Sequence, residues 1–171
     1  MGRIVVGVDD SPEARRALAW AAAEARLRQA VLQVVHAYHA KQLAAPAYFG
    51  STHTYDATVG AAGEPPPELT ASVRGREAFE AAVRGQADEL LEAMVGELGE
   101  TVSGVEVQQT VVEDRHPAEA LVRLSADAEL LVVGSRGRGG FSELLLGSVS
   151  HAAVLHAVCP VVVVPSSRDE H

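Results

Sequence analysis

The sequence has almost none of the residues used for covalent cross-links or for lysine chemistry. Cys159 is the only cysteine among 171 residues, so the chain cannot form an internal disulfide. Lys41 is the only lysine, and no glycine-rich loop precedes it. These absences argue against a Walker A phosphate loop, a kinase-type lysine and a Schiff-base lysine.

Positive charge and long apolar runs are also scarce. The chain has 14 basic and 23 acidic side chains, which gives a net charge of −9. Because no basic surplus exists to displace counterions from phosphates, we expect no nucleic-acid partner. No apolar run approaches the roughly 20 residues that span a bilayer, and Met1-Gly2-Arg3 leads directly into a strand-like run without a targeting segment. We therefore expect no membrane partner and a cytoplasmic location.

The apolar residues that are present follow two alternating patterns. Short runs rich in β-branched residues alternate with segments in which apolar residues recur at helical spacing. The predicted strands are Ile4–Val8, Val31–Ala37, Val105–Val112, Leu130–Val133 and Val161–Val164; the predicted helices follow Ser11-Pro12 and cover Arg74–Leu98, Pro117–Ala126 and Ser148–Ala157. This alternation predicts one α/β domain over residues 1–171, with a parallel sheet covered by helices on both faces.

One segment, at about residues 38–73, does not follow this alternation. It contains Pro46, Gly50 and the run Pro65-Pro66-Pro67, and it shows little periodicity. Loops of this length inside a compact domain are usually functional or disordered. We interpret the segment as an insertion between the second strand and the second helix.

The most informative stretch is the glycine-rich segment after the fourth predicted strand. Gly134 and Gly137 follow that strand, and Gly147 and Ser148 precede the last helix. Glycines permit positive φ angles and close approach, so successive amides can form an anion-binding nest. The amino terminus of the last helix adds further amides, and Ser148 could cap that helix or face a phosphate or a metal. The alternative is a flexible surface turn followed by an ordinary capped helix.

Three blocks of the sequence together resemble the universal stress protein family. The spacing Gly-x2-Gly-x9-Gly-Ser that begins at Gly134 is similar to the family's ATP-binding signature, and Val5–Ser11 and Cys159–Pro165 resemble the two ends of the same domain. The resemblance implies an open, Rossmann-like sheet of five parallel strands in the order 3-2-1-4-5. It further implies that the protein binds ATP, with Mg²⁺ or Mn²⁺ screening the phosphates, and forms a homodimer through the edge strand Val161–Val164.

The resemblance also implies which residues meet the nucleotide. In this strand order, strands 1 and 4 are neighbours, and the sheet changes winding direction between them. Asp9 would approach the ribose hydroxyls, and main chain near Ala37 would meet the adenine edge. The other residues of the implied nucleotide site are Val8, Val133, Gly134, Arg136, Gly137, Gly147, Ser148 and Val149.

Plainer interpretations of several of these residues remain. Asp9 could serve only to turn the chain or to cap the following helix. His36 and His39 could suggest a metal pair, but the sequence offers no convincing third and fourth ligands, so we predict no resident metal site. The segment Asp114–Pro117 holds one acid and one histidine, and we interpret it as a turn and cap because no nucleophile accompanies them.

The sequence leaves three functions open. The first is an ATP-binding regulatory protein of the universal stress type with at most slow hydrolysis. The second is an adenylyl-transferring or ATP-pyrophosphatase-like enzyme, because Gly7–Ser11 loosely resembles the SGGxDS loop of that group, although Val8 replaces its second glycine. The third is a dimeric interaction module that holds another adenine nucleotide, such as cyclic AMP.

Overall fold

The computed structural model describes residues 2–38, 73–137 and 146–166, which form a parallel sheet with helices on both faces. The strands are β1 (Arg3–Gly7), β2 (Val31–Tyr38), β3 (Val107–Glu113), β4 (Leu130–Gly134) and β5 (Val161–Val164). The helices are α1 (Pro12–Arg28), α2 (Val73–Glu97), α3 (Pro117–Leu124) and α4 (Ser148–His156), with a short 3-10 helix at Gly99–Val102. The predicted insertion falls on residues 39–72, which lie outside the described residues.

The five strands lie in the order β3-β2-β1-β4-β5, and all four neighbouring pairs are parallel. This confirms the predicted fold class and strand order. The central strand β1 pairs with β2 through Gly7↔Val35 and with β4 through Val6↔Val132. Because β1 has a neighbour on both edges and helices on both faces, its Ile4, Val5 and Val6 are fully buried.

The side chains of the central strands alternate between two cores. One core packs against α1 and α2, and its members include Ile4, Val6, Leu18, Leu32, Val34, Leu91, Met94 and Val132. The other packs against α3 and α4, and its members include Val5, Val35, Leu121, Leu131, Val133 and Ala153. The two faces of the sheet therefore each carry a pair of helices, as right-handed crossovers require.

Helix α1 begins as its sequence predicts. Ser11 is the N-cap, and its hydroxyl oxygen accepts a hydrogen bond from the Ala14 backbone N–H at 3.1 Å. Pro12 occupies the first helical position, where its missing N–H costs nothing. The helix ends at Gln29, whose left-handed backbone has a φ of 54°. These caps place the start of α1 directly after the carboxyl end of β1.

Most element boundaries lie within two residues of those predicted. The largest differences are that β3 begins at Val107 and α3 ends at Leu124. Helix α3 stops because the fully buried Ser125 turns its hydroxyl to the Val122 carbonyl, at 2.8 Å. No helix in the described ranges is long and apolar enough to cross a membrane.

Candidate functional site

The carboxyl ends of β1 and β4 lie side by side at the switch point of the sheet, and we call the space between the segments that follow them the crevice. The chain moves from β1 outward to β2 and β3 on one side, whereas β4 and β5 lie on the other side. Loops that leave adjacent strands in opposite directions at such a switch point leave room for a ligand between them. The β1–α1 turn and the segment after β4 form the two walls of this crevice.

The β1–α1 turn is organised by Asp9. The Oδ1 atom of Asp9 accepts hydrogen bonds from the Ser11 backbone N–H at 3.1 Å and from the Ser11 hydroxyl. Since the same hydroxyl caps α1 through Ala14, the carboxylate is fixed relative to the helix. Asp9 therefore shapes the turn, one of the roles left open for it, through Oδ1, while Oδ2 is the other oxygen of the carboxylate.

Gly137 approaches Asp9 across the crevice. A Cβ atom placed on Gly137 would lie 2.6 Å from Asp9 Oδ2, well inside van der Waals contact. The glycine is thus needed for space, because any side chain here would displace the carboxylate. The contact joins the glycine-rich block to the block Val5–Ser11, which are two of the three blocks that carry the family resemblance.

Gly134, the last residue of β4, has a different neighbour. A Cβ atom on Gly134 would lie 2.8 Å from Glu13 Cβ and 2.9 Å from the Glu13 backbone carbonyl carbon. Backbone atoms cannot move aside as the end of a side chain can. Gly134 therefore lets the first turn of α1 pack closely against the end of β4, which is a structural role that the sequence analysis did not identify.

Of the two properties that the sequence analysis named for these glycines, a positive φ angle does not occur at Gly134, Gly137 or Gly147. Gly147 has a φ of −76° and a ψ of 172°, which any residue can adopt. Within the described ranges, left-handed backbone occurs only at Gln29, Gly99 and Gly104. Close approach rather than backbone angle accounts for Gly134 and Gly137, whereas a Cβ on Gly147 would meet its nearest neighbour at an ordinary 3.4 Å.

The start of α4 is tied to the end of β4 through one carbonyl. The Ser135 carbonyl accepts hydrogen bonds from the Gly147 backbone N–H at 2.8 Å and from the buried Ser150 hydroxyl at 2.9 Å. Neither serine was singled out from the sequence. Because both donors come from the first turn of α4, the amino terminus of that helix is held against the crevice.

Ser148 does not cap α4, which was one of the two roles that the sequence left open for it. The N-cap is Gly147, Ser148 is the first helical residue, and no side chain caps this helix. The amides of the first turn have no partner within an α-helix, and together they carry the positive end of its dipole. Residues 138–145, which include the rest of the predicted glycine loop, lie outside the described residues.

Ala37 lies near the carboxyl end of β2, at the same edge of the sheet as the ends of β1 and β4. The Val35 carbonyl accepts from the Val8 N–H at 2.9 Å, and the Tyr38 carbonyl accepts from the Asp114 N–H at 2.8 Å, on the β3 side. Because main-chain groups of successive strand residues point to opposite sides, the N–H and C=O of Ala37 point to the β1 side. Since β1 ends at Gly7, the N–H and C=O of Ala37 lie beyond the last residue of that strand. They therefore face the crevice.

The four remaining predicted site residues lie at the strand ends or in the segments that follow them. Val8 and Val133 are buried side chains at the ends of β1 and β4. Arg136 and Val149 are half-buried, and Val149 also packs on the α3–α4 core. All predicted site residues thus lie at the carboxyl edge of the sheet.

Polar groups at the neighbouring strand ends have structural partners. Burial raises the pKa of Tyr38, and the charge of Glu113 adds to this, so the hydroxyl stays neutral over the physiological range.

The His116 backbone N–H and the Arg123 side chain, at 2.9 and 2.8 Å, lower the pKa of Asp114. This confirms the predicted turn before α3, whereas the predicted cap is wrong, because the N-cap His116 makes no side-chain hydrogen bond to the helix. The described residues contain no group of three or more His, Cys, Asp or Glu side chains placed to hold a metal ion.

The parallel sheet in the order β3-β2-β1-β4-β5, with helices on both faces, defines an open α/β protein of the Rossmann-like class. Comparison with known proteins identifies the family. The model of the universal stress protein family matches residues 1–165, and the chain belongs to that family. A universal stress protein of Mycobacterium tuberculosis is 35% identical over 164 residues, which are 96% of this chain and 45% of the relative. The chain thus spans about half the length of that relative. One from Thermus aquaticus is 31% identical over 94% of this chain and 96% of its own.

Two solved structures with this fold contain nucleotides. A universal stress protein from Archaeoglobus fulgidus in complex with dAMP is 24% identical, with a TM-score of 0.60 over 96% of this chain and 98% of its own. A universal stress protein in complex with cAMP is also 24% identical, with a TM-score of 0.58 over 97% of this chain and 98% of its own. At this identity the likeness establishes the fold.

The two loop glycines should differ in their effect on stability. We expect Gly134→Ala to lower the free energy of unfolding by about 1–3 kcal/mol, because the new methyl group meets backbone atoms of Glu13. Gly147→Ala is the matched control, since its Cβ would lie 3.4 Å from the nearest atom, which is an ordinary contact. Urea unfolding measures both. Equal losses in the two variants would contradict the packing role of Gly134.

Proposed function

We propose that this protein binds ATP in the crevice between β1 and β4 and serves as a cytoplasmic nucleotide-binding regulator of the stress response. The observation that carries the proposal is the contact of Gly137 with Asp9, which brings a carboxylate beside a helix amino terminus without a side-chain cap. Membership of the universal stress protein family supports it, as do the relatives solved with dAMP and cAMP.

The two walls of the crevice suit different parts of a nucleotide. An ionised carboxylate only accepts hydrogen bonds, so Asp9 suits the ribose hydroxyls. The main-chain N–H and C=O of Ala37 suit the donor and acceptor edge of adenine, with Val8 and Val133 beneath. The amides at the start of α4, at Ser148 and Val149, suit the phosphates.

The phosphate end of the proposed site uses main chain and space. Gly134 lets the start of α1 pack against the end of β4, and Gly147 precedes α4 beside Arg136, whose charge suits a phosphate. Since the described residues offer no ready-made metal cluster, Mg²⁺ or Mn²⁺ would be held chiefly by phosphate oxygens and water. The Ser148 hydroxyl would be its protein contact, in keeping with the few protein ligands that Mg²⁺ takes beside a nucleotide.

Hydrolysis in this site should be slow. Phosphoryl transfer to water needs a group that orients the water and charges that stabilise the transition state. Asp9 is engaged by Ser11 through Oδ1, and the only lysine of the sequence, Lys41, belongs to no glycine-rich phosphate loop. The proposed function is therefore to hold ATP rather than to turn it over rapidly.

The proposed dimer uses the open edge of β5. The Leu131 N–H donates to the Pro160 carbonyl at 3.0 Å, and the Ser135 N–H donates to the Val164 carbonyl at 2.7 Å. The carbonyls of Pro160 and Val164 therefore point toward β4. Because the main-chain groups of successive residues point to opposite sides of a strand, the N–H and C=O of Val161 and Val163 point away from β4.

A second copy of the chain can satisfy this edge. No charged residue lies between Cys159 and Ser166, and Pro160 and Pro165 limit pairing to a short segment. Antiparallel pairing of two β5 strands about a twofold axis would satisfy both edges and close the assembly.

Loop variants test the nucleotide site. We expect calorimetry to detect ATP binding by the unmodified chain, and Gly137→Val and Gly147→Val each to weaken it by about tenfold or more, which is about 1.4 kcal/mol. The valine at 137 would displace the Asp9 carboxylate, and the valine at 147 would fill the turn before α4. Gly85→Val on α2 is the control, because a Cβ there meets no atom within 4 Å. Unchanged binding in both loop variants would place the ligand elsewhere, and selective binding of cAMP would favour the interaction-module alternative.

Turnover separates the regulator from an enzyme. We expect ATP hydrolysis far below the roughly 10 s⁻¹ of a dedicated enzyme, measured as phosphate or pyrophosphate release. Asp9→Asn is the informative variant, since it keeps an acceptor for Ser11 and removes the charge. A rate near 10 s⁻¹ that is lost in this variant would favour the adenylyl-transfer or pyrophosphatase alternative.

Light scattering on a β5 variant tests the dimer. Val163→Pro removes an N–H that points outward and leaves the groups that face β4 intact, so we expect a folded monomer. Val163→Thr is the control, because it has nearly the same shape and keeps the N–H, and it should remain a dimer. If the unmodified chain is monomeric at tens of micromolar, or if the proline variant stays dimeric, pairing through β5 is wrong.

A further inference from the structure

A buried histidine lies directly beneath the proposed ligand crevice. His36 on β2 is 3% exposed, and its Nδ1 lies 2.8 Å from the Val8 carbonyl oxygen. The Tyr38 ring stacks on the His36 ring, with centroids 6.0 Å apart and planes 16° apart. Since a carbonyl oxygen only accepts, Nδ1 must carry the proton of this hydrogen bond.

The hydrogen bond falls where β1 stops pairing with β2. The Val8 N–H donates to the Val35 carbonyl at 2.9 Å, as in a continuing parallel ladder. The next bond of such a ladder would run from the Ala37 N–H to the Val8 carbonyl. At this point the His36 ring donates to the same carbonyl, so a side chain takes over the link between the two strand ends.

We propose that His36 is a positioning residue for the adenosine part of the ligand. Its Nδ1–H bond to Val8 fixes the peptide that leads into Asp9, which fixes the distance between the Asp9 carboxylate and the main chain of Ala37. These two groups are the proposed contacts of ribose and adenine, so the inference rests on the proposed function. The α4 amides belong to the other wall of the crevice, and the contacts of His36 described above are with Val8 and Tyr38.

The position of the bond predicts a selective effect. Loss of the donor should leave the Val8–Asp9 turn less fixed and weaken ligands that contain adenosine. A phosphate chain without a nucleoside should be unaffected, because it would meet only α4 and the segment after β4. A merely structural histidine would lower stability without this selectivity.

The test uses two substitutions of His36 in the full chain. His36→Leu keeps an apolar side chain of similar size and removes the donor, whereas His36→Asn restores an N–H close to the position of Nδ1. Calorimetry with ATP, adenosine and inorganic tripolyphosphate gives the three affinities. We expect the leucine variant to bind ATP and adenosine about five- to tenfold more weakly, the range that a lost hydrogen bond allows. Tripolyphosphate affinity should not change, and the asparagine variant should recover ATP binding to within about twofold of the parent.

Imidazole ¹⁵N spectra of the ligand-free parent chain provide a second readout that needs no variant to fold. We expect the neutral ring of His36 to be the Nδ1–H tautomer. An Nε2–H tautomer, an unchanged ATP affinity in the leucine variant, or equal weakening of ATP and tripolyphosphate would each overturn the role of His36. A parent chain that shows the Nδ1–H tautomer and binds neither ATP nor adenosine would instead overturn the proposed function.

Discussion

The parallel pairing of β1 with β4 is the constraint on which the candidate site depends. Strands that pair in parallel end at the same edge of a sheet, so the turn after β1 and the segment after β4 must leave side by side. The pairing is held by apolar residues on both strands, from Ile4↔Leu130 to Val6↔Val132, which are almost completely buried. Two parts of the sequence more than a hundred residues apart thereby become neighbours.

Close approach then fixes the shape of the crevice. The Gly134 backbone packs on Glu13 at the start of α1, Gly137 lies against the Asp9 carboxylate, and the Ser135 carbonyl holds the first turn of α4. Each contact requires a small residue or a main-chain group at one position. The walls of the crevice are thus set by packing of the fold itself, so little ordering of the chain needs to accompany binding at these residues.

The sequence predicted the strands, the strand order and the edge at which the site lies, because apolar periodicity and family resemblance both depend on the whole domain. It did not predict why the glycines are present. The sequence shows only that a residue is glycine, and not whether the structure needs it for a positive φ angle or for the space that Glu13 occupies. Which of these roles applies depends on the residues that meet in three dimensions. The same holds for Ser148, whose neighbour Gly147 supplies the cap position, and for His36, whose partner Val8 belongs to another strand.

The polarity of the crevice also limits how a nucleotide could lie in it. The chain carries a net charge of −9, so a polyanionic ligand cannot be drawn in by the charge of the protein as a whole. At one wall, the Asp9 carboxylate accepts hydrogen bonds and would repel phosphate; at the other, the first-turn amides of α4 donate them and carry the positive end of the helix dipole. In the proposed site, a ligand with hydroxyl donors at one end and phosphate acceptors at the other would therefore bind in one direction, with its sugar toward β1 and its phosphates toward α4. In an acidic protein whose sequence has a single lysine, main-chain amides would supply that attraction locally.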